Sequence, residues 1–487
     1  MAGPDGEKAP ASGTDKKVED KAVKHPESTS VMQRAANALR AELDSLRSGA
    51  THPGGYPALL TPELQKILDG IELVMGEMSH LELVSIRTKS LPRAPGRGDV
   101  VGTNEQVPPM PEYPGEMTTQ IPIVRDRLKK AGINPDKLNG IKIAVIDNHE
   151  GKKDEHNHGA QVTSVIQDGK YGLIHDAVVI PIETRDNSLG ASDYLNKPGG
   201  LGQAVSDISC TLIEDTTKDL REQCLDKRDP ALRVVNISQG YSNIKMSEHI
   251  FGSMVKDPEK FRPWLNQLLG EEKANEWIAS IKKNPEPNEQ TDILDKPLWQ
   301  AIVNFVDSKL AQDPRFKAAQ EEYRRTTEQI AKQGIVLVVA AGNAQDDLTK
   351  FKLNLKPGAA YNWYAQSNHV IAVGGCDLNR TPGDRSDDQV TEFTSHGNGT
   401  FHPTVVAQGA KVPSQWLGIS GTSFATPLVA ATVGLMLAQN PNLTFSDVKN
   451  MLEQNSIRLQ GAGPEAQGAG ELNIEQAVIA AARSVKK

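Results

Sequence analysis

The sequence predicts an α/β protein in which helices cover both faces of a mostly parallel sheet. Short runs of β-branched and apolar residues, typical of strands buried on both faces, recur along the chain. They lie at Lys142–Asp147, Ala177–Ile182, Leu232–Ile237, Ile335–Ala340 and Val370–Val373. Segments with helical periodicity separate them, and strands that alternate with helices favour a parallel sheet between helical layers. A helical N-terminal extension and a helical insertion complete this prediction.

The residues before the sheet divide into three segments. Residues 1–30 are rich in Lys, Glu, Asp, Pro and Ser and hold almost no large apolar side chain, which predicts a disordered tail. Residues 31–90 are predicted to form a helical module, because apolar residues recur at three and four positions in Val31–Leu46 and Pro62–Leu81. Residues 91–117 concentrate Pro and Gly and are typical of an extended linker.

Residues 118–487 are predicted to form the α/β domain, which opens with a helix at Ile121–Ala131. A long helical pattern between Gly240 and Gly334 interrupts the alternation of strands and helices, and it holds three of the five tryptophans of the chain. We place this helical insertion at about residues 243–315 and expect it to carry a small core of its own.

The composition excludes several classes of protein. The chain has 487 residues and a formal net charge of -8, which gives no electrostatic footprint for nucleic acid or anionic lipid. No apolar run approaches the roughly 18 residues of a membrane span, so no membrane partner is expected. Three cysteines are too few for a disulfide scaffold and odd in number, which favours a reducing compartment. Since the first residues lack the features of a secretory signal, we predict a cytoplasmic protein and leave unconventional secretion open.

The segment Gly418–Ala438 holds a candidate nucleophile. It begins with a Gly-rich turn and continues with small and apolar residues, which predicts a helix with Ser423 at or near its first turn. Unpaired backbone N–H groups and the helix dipole at that end stabilise negative charge. The amide of Ser423 would therefore hold the oxyanion that forms when its hydroxyl attacks a carbonyl. Taken alone, Ser423 also fits a simple N-cap serine.

A serine nucleophile needs a base, and the base needs a group that orients it. His158, followed by Gly159 and a helical run, is the candidate base. Asp147 ends a predicted buried strand and supplies a carboxylate that would fix the imidazole tautomer. Because parallel strands end at one edge of the sheet, these groups are expected to meet there. Taken singly, His158 also fits a core or cap histidine and Asp147 a solvated strand end.

These motifs together resemble those of the subtilisin-like serine proteases, or subtilases. AVID with Asp147, HGAQV with His158 and GTSFATP with Ser423 match the three catalytic motifs of that family in its chain order. NISQG at Asn236–Gly240 is similar to the substrate-binding strand of the family. VVAAGN at Val338–Asn343 is similar to the segment whose final Asn donates its side-chain amide to the oxyanion.

The resemblance covers about residues 118–485 and implies a subtilisin-like fold, a triad of Asp147, His158 and Ser423, and Asn343 as an oxyanion donor. Taken alone, Asn343 also fits a turn residue. The residues implied to bind substrate are Ser238, Gln239, Gly240, Ala340, Ala341 and Gly342. The implied activity is that of a serine endopeptidase acting on protein or peptide substrates through an acyl-enzyme. Its optimum should lie at neutral or mildly alkaline pH, because His158 must be unprotonated to act as a base.

The chain also departs from the family pattern. Asp147 and His158 stand 11 positions apart, closer than subtilases usually place them, and the bridging residues at about 3.3 Å each still join them. The trimmed loop and Gln167–Val178 lack the usual calcium ligands, so no metal and no cofactor is predicted, and calcium dependence is not assumed. The neighbouring His149 and His156 are expected to be solvated loop residues.

Three questions of role stay open. The competing function is a protease-like module whose triad is masked and which acts by binding partner proteins. The predicted module at 31–90 has three possible roles: to occupy the cleft until the linker is cut, to bind an inhibitory or regulatory protein, or simply to dock on the domain. The insertion, which starts directly after Gln239–Gly240, is either a lid or exosite that narrows substrate choice or a peripheral outgrowth. We predict selective processing of protein substrates.

Overall fold

The structure is a computed structural model that describes seven stretches of the chain. They are residues 119–149, 157–184, 200–283, 296–346, 352–379, 384–413 and 418–485. The predicted tail (1–30), helical module (31–90) and linker (91–117) lie outside the described residues, as does His156.

The described strands form one seven-stranded sheet, which confirms the predicted α/β class. Its spatial order is β2, β1, β3, β4, β5, β6, with β7 also paired to β5, and every pairing is parallel except that of β5 with β6. The strands are β1 (Lys142–Asp147), β2 (Val178–Glu183), β3 (Leu232–Ile237), β4 (Val336–Ala340), β5 (Ile371–Asp377), β6 (Gln389–Val390) and β7 (Val405–Gln408). All five predicted strands are present, whereas β6 and β7 were not predicted.

Helices cover both faces of this sheet. The first group is α1 (Ile121–Lys130), α2 (His158–Gln167), α3 (Gly200–Arg221), α4 (Asn243–Lys256), α5 (Pro258–Leu269) and α6 (Glu271–Lys283). The second group is α7 (Lys296–Gln312), α8 (Pro314–Lys332), α9 (Thr422–Gln439), α10 (Phe445–Asn455), α11 (Pro464–Gln467) and α12 (Ile474–Arg483). The helices α1, α2, α9, α10 and α12 pack on one face, and α3 to α8 pack on the other.

The strand sequences explain why the sheet is buried on both sides. In β1, Ile143 and Val145 point into the core beneath α9, while Ala144 and Ile146 point into the core beneath α3. Successive side chains of a strand alternate between faces, so a run that is apolar at every position must be covered twice. All four of these side chains are at most 1% exposed.

The helical insertion is built from α4 to α7, and it lies within the predicted limits of about 243–315. Phe251 packs edge-on against Trp277 and Trp299, with ring centroids 6.1 Å apart in each pair. The prediction that this segment has a core of its own is wrong, because its aromatic cluster is continuous with sheet residues such as Ile237 and Val339. The insertion and this face of the sheet share one apolar interior.

The helix α9 is the central helix of its face and carries the candidate nucleophile. By length and mean hydropathy it is apolar enough to cross a membrane, but 89% of it is buried inside the protein. A core helix passes the same test, so this finding is weak evidence for a membrane span. The sequence expectation of no such run overlooked that alanines, together with leucines and valines, raise the mean hydropathy over the whole helix.

A pair of buried carboxyl groups lies where β5 and β6 meet the C-terminal segment. Asp388 is 5% exposed and Glu471 is fully buried. Burial, reinforced by the neighbouring Glu471, raises the pKa of Asp388 to about 8. Burial also raises the pKa of Glu471, although the Arg385 guanidinium, with Nε 3.9 Å from Glu471 Oε1, opposes this shift. The pair therefore holds a proton well above the pH at which free carboxyl groups lose theirs.

The three cysteines are buried free thiols. Burial raises the pKa of Cys210 to about 11 and that of Cys224 to about 12. These thiols are therefore protonated at neutral pH. The predicted reducing compartment stays a prediction.

Candidate active site

Three strand ends and two helix starts meet at one edge of the sheet. Asp147 is the last residue of β1, Ser238 follows β3 directly, and Ala340 ends β4. Opposite them, α2 begins with His158 and α9 carries Ser423 as its second residue. The carboxyl ends of the parallel strands thus bring together chemical groups that are far apart in sequence, as the sequence predicts.

Most of the predicted site residues line one cavity of about 220 Å³ at this edge. They are His158, Ser238, Gln239, Gly240, Ala340, Gly342, Asn343 and Ser423. Asp147 lies behind His158 and is 1% exposed. Ala341 is not part of the lining, because it is fully buried, donates its N–H to Val373 and accepts from the N–H of Asn362. Its predicted part in substrate binding is therefore indirect at most.

The carboxylate and the imidazole form the predicted pair. Asp147 Oδ1 accepts from His158 Nδ1 at 2.7 Å and from the backbone N–H of Asn148 at 2.8 Å. An ionised carboxylate only accepts hydrogen bonds, so the proton is on Nδ1 and the lone pair of Nε2 is free. The backbone N–H of Gly159 donates to Asn148 O at 2.9 Å, which ties the start of α2 to the end of β1. This link shows how two residues only 11 positions apart reach each other.

His149 differs from its prediction as a solvated loop residue. It is half-buried, and its Nε2 donates to Val145 O at 3.0 Å. Its backbone N–H donates to Glu183 Oε2 at 2.6 Å. A Cβ at Gly159 would overlap the His149 ring, so glycine is required where the ring packs against the start of α2. The sequence gives no sign of this packing, because the partners are backbone atoms.

The candidate nucleophile has its hydroxyl turned toward β3. Ser423 Oγ donates to Ser238 O at 2.7 Å, and Ser238 Oγ donates in return to Ser423 O at 2.7 Å. Among the described contacts there is no hydrogen bond between Ser423 and His158, although both line the same cavity. Gly421, with φ of 148°, forms the turn that presents Ser423, a conformation that favours glycine. The Oγ is therefore fixed at the cavity, but away from the base.

A fixed amide lies beside the nucleophile. Asn343 Oδ1 accepts from both the backbone N–H and the hydroxyl of Thr422, each at 2.8 Å. Because an N–H group must face an oxygen, these bonds assign the orientation of the carboxamide and leave Nδ2 free to donate. A Cβ at Gly421 would lie 3.2 Å from that Nδ2, so the NH₂ group lies over the turn before Ser423. The backbone N–H of Ser423 in the first helical turn has no intrahelical acceptor. Two donors are thus available for an oxyanion.

Thr422 and Asn362 are functional residues that the sequence reasoning missed. Thr422 stands beside the nucleophile in the GTS motif, which was the available signal. Asn362 joins the two walls of the cavity, since its Nδ2 donates to Ala340 O at 2.7 Å and to Gln239 O at 3.2 Å. A Cβ at Gly240 would overlap the Asn362 carboxamide, which explains the glycine at that position. No motif marks Asn362 in the sequence.

No cluster of three or more His, Cys, Asp or Glu side chains able to hold a metal ion occurs among the described residues. Residues 150–156, which lie in sequence between the two members of the carboxylate–imidazole pair, are outside them. The expectation that the chain uses no metal stays a prediction.

The chain is similar in sequence to known proteases. A model of the subtilase family matches residues 134–471. The serine protease AprX of Bacillus subtilis (strain 168) is 30% identical over 225 residues, which cover 42% of this chain and 46% of that protein. Subtilisin DY of Bacillus licheniformis is 30% identical over 149 residues, which cover 30% of this chain and 47% of that protein. The chain therefore spans less than half the length of these curated relatives.

Solved structures are also similar to the chain. A crystal structure of a lanthipeptide protease aligns with a TM-score of 0.40 and 14% identity, over 74% of this chain and 93% of its own. A structure of the subtilase cytotoxin SubAB assembly aligns with a TM-score of 0.40 and 15% identity, over 72% of this chain and 92% of its own. Because the family model matches more than half of the 487 residues, the chain belongs to the subtilase family.

Proposed function

We propose that the protein is a serine endopeptidase that cleaves peptide bonds through an acyl-enzyme. The observation that carries the proposal is the 2.7 Å hydrogen bond between Asp147 Oδ1 and His158 Nδ1, at the wall of the cavity that also contains Ser423. This bond leaves His158 Nε2 as a base whose orientation is fixed. Asp147 stabilises the imidazolium that forms when the base accepts a proton.

The chemistry follows the positions of the groups. Ser423 Oγ attacks the scissile carbonyl, and its proton passes to His158 Nε2. The imidazolium then gives this proton to the leaving amine, so the peptide bond breaks and an ester with Ser423 remains. Water, activated by the same imidazole, hydrolyses the ester and restores the hydroxyl. Asn343 Nδ2 and the Ser423 amide are the proposed donors to the oxyanion of both tetrahedral intermediates.

The Ser423 hydroxyl must turn before it reacts. In the structure it donates to Ser238 O at 2.7 Å, so a rotation about its Cα–Cβ bond is needed to bring the proton to His158. Hydrogen bonds between catalytic groups often tighten only when substrate is bound. We propose that this rotation accompanies the binding of an extended peptide along the residues that follow β3 and β4.

We propose further that the enzyme processes selected protein substrates. The insertion supports this proposal, because α4 begins three residues after Gly240 and its first turn borders the cavity. Such a position constrains which segments can lie beside the substrate-binding strand. No contact among the described residues favours the alternative of a binding module with a masked triad. Cleavage of many unrelated unfolded proteins by the purified enzyme would count against selectivity.

A fluorophosphonate probe tests the proposed chemistry, because it labels only an activated serine. The full chain should be labelled at Ser423, and Ser423→Ala should lose both the label and the cleavage of an internally quenched peptide library. Ser420→Ala is the matched control, since this exposed serine only accepts from the backbone N–H of Lys411 at 3.0 Å. Absence of both labelling and cleavage in the wild-type protein would refute the proposal.

A further inference from the structure

The cavity beside Ser423 has a lysine in its wall. Lys245 lies in the first turn of α4, where its backbone N–H donates to Ser242 Oγ at 3.2 Å, and both residues line the cavity. The segment is held in place by Trp363, whose backbone N–H donates to Tyr241 O at 2.7 Å and whose Nε1 donates to Asn243 Oδ1 at 3.0 Å. The backbone of Lys245 is therefore fixed relative to the nucleophile.

Lys245 dominates the charge of this cavity. Among the described lining residues it is the one lysine or arginine, and none of them is an aspartate or glutamate. The other walls are glycine, alanine, hydroxyl and amide groups, together with the rings of Tyr241 and His158. The Asn362 carboxamide at one wall already donates to two backbone carbonyls and accepts from Tyr364 N at 3.0 Å. A charged group that enters the cavity therefore meets the positive charge of one lining residue, Lys245, whose backbone is held in place.

The present partner of Lys245 leaves this charge available. Its Nζ pairs with Glu248 Oε2 at 2.5 Å, one turn further along α4, and the lysine side chain remains 47% exposed. The Glu248 side chain is 18% exposed, and ion pairs at this helical spacing contribute little to stability. An ammonium group has three N–H donors, so a second carboxylate can bind it without displacing the first. The unpaired N–H groups at the start of α4 also favour a negative charge nearby.

The size of the cavity limits what can enter it. At about 220 Å³ it is smaller than the roughly 300–1,000 Å³ of pockets that enclose whole drug-sized ligands. It lies between the chain ends that follow β3 and β4, beside the nucleophile, so the group that enters is a single side chain of the bound peptide. The nearest such side chain belongs to the residue whose carbonyl Ser423 attacks.

We propose that this cavity selects an acidic side chain, aspartate or glutamate, on the substrate residue that forms the acyl-enzyme, and that Lys245 is the residue that determines this specificity. The inference rests on the proposed function, since it takes Ser423 as the nucleophile. The catalytic groups do not determine which side chain is preferred, whereas this proposal specifies an acidic one.

Matched peptides test the proposal. A cleaved octapeptide from an internally quenched library is resynthesised with Asp, Asn, Glu or Gln before the scissile bond, and mass spectrometry verifies the cleavage point. The full chain should cleave the Asp and Glu peptides with kcat/KM about 10-fold above their amide counterparts. This ratio should fall as salt is raised from roughly 20 mM to 500 mM, because the ammonium is partly exposed.

Variants assign the effect to Lys245. Lys245→Met should bring the acid-to-amide ratio close to one, and Lys245→Glu should favour a Lys peptide over the Asp peptide. Glu248→Gln should raise the ratio, because it removes the competing carboxylate. Lys260→Met is the matched control. This lysine also forms an i,i+3 pair, with Asp257 at 3.0 Å, is 52% exposed and belongs to the same insertion, but it does not line the cavity.

The outcomes separate the inference from the function it rests on. If Ser423 is labelled and peptides are cleaved, but acid and amide peptides differ by less than about 2-fold, the specificity is refuted and the endopeptidase stands. A preference that persists in Lys245→Met also refutes the role of this lysine. If the wild-type protein neither takes the label nor cleaves any peptide, both proposals fall.

Discussion

The fixed carboxamide beside the nucleophile gives the most direct test of how this site stabilises charge. Asn343 Nδ2 is free to donate, because Oδ1 is held by two bonds from Thr422, each 2.8 Å long. Asn343→Ala removes the donor and its anchors together. Loss of one oxyanion donor costs about 2.7–4 kcal/mol of transition-state stabilisation, or roughly 100- to 1000-fold in kcat, a range taken from subtilisins. KM should change little, since the oxyanion exists only after attack.

Thr422→Val separates the donor from its support. The variant keeps the backbone N–H bond to Asn343 Oδ1 but loses the hydroxyl bond, and it also removes the acceptor that Gly342 N reaches at 3.3 Å. One net hydrogen bond is worth about 0.5–1.5 kcal/mol, so kcat should fall by roughly 2- to 10-fold. If Thr422 acts only through Asn343, the double variant should be no slower than Asn343→Ala alone.

The assay is steady-state cleavage of one internally quenched peptide, with circular dichroism to verify folding. Thr426→Val is the matched control, because this equally buried threonine of α9 donates only to Thr422 O, at 2.7 Å. Its kcat should stay near the wild-type value. The reasoning is refuted if Asn343→Ala keeps kcat within about 3-fold of wild type, or if the losses from Asn343 and Thr422 simply add.

Three further predictions concern stability and substrate binding. Asp388 has a folded pKa of about 8 against an ordinary value of 3.8, so the stability that it contributes is complete below the ordinary pKa and is lost as pH rises through about 8. The Tm of Asp388→Asn minus that of wild type should therefore increase as the pH is raised from about 5 to about 9. Thermal melts in which this difference does not change with pH would contradict the prediction. Trp299→Ala should lower the free energy of unfolding, measured by urea titration, by about 3–5 kcal/mol, because this side chain is buried. Trp264 is half-buried, so Trp264→Ala should lower it by less. Equal losses in the two variants would contradict the packing described. Asn362 links the two cavity walls, so Asn362→Ala should lower kcat/KM by roughly 10-fold, mainly by raising KM. The fluorophosphonate probe should still label Ser423. A fall in kcat with unchanged KM would show that Asn362 does not act by holding the walls.

Sequence patterns predicted the parts of the fold that rest on local apolar character. The limits of β1 and β3 match residue for residue, because each is an apolar run that must be covered on both faces. The strands β6 and β7 were missed, since runs of two and four residues carry too little pattern. The shared core of the insertion was also missed, because periodicity indicates which face of a helix is apolar and not what covers it.

The candidate site also has features that the sequence predicts and features that it does not. The positions of Asp147, His158 and Ser423 at one sheet edge follow from motif order and strand topology. Thr422 orients Asn343, and Asn362 links the cavity walls, through contacts between residues distant in sequence. The bond from the His149 backbone to Glu183 is of the same kind. Such contacts leave no pattern in a single chain. The rotamer that turns Ser423 toward Ser238 likewise depends on tertiary packing.

The common interior of the insertion and the sheet limits how this protein can be divided into parts. Trp277 and Trp299 pack into the same apolar cluster as Ile237 and Val339, so deleting α4 to α7 would expose part of that face of the sheet to water. The segment therefore cannot be exchanged between relatives as a cassette without redesign of the helices beneath it. In a calorimeter the insertion and the sheet should absorb heat in a single transition, because the insertion shares its apolar interior with one face of the sheet.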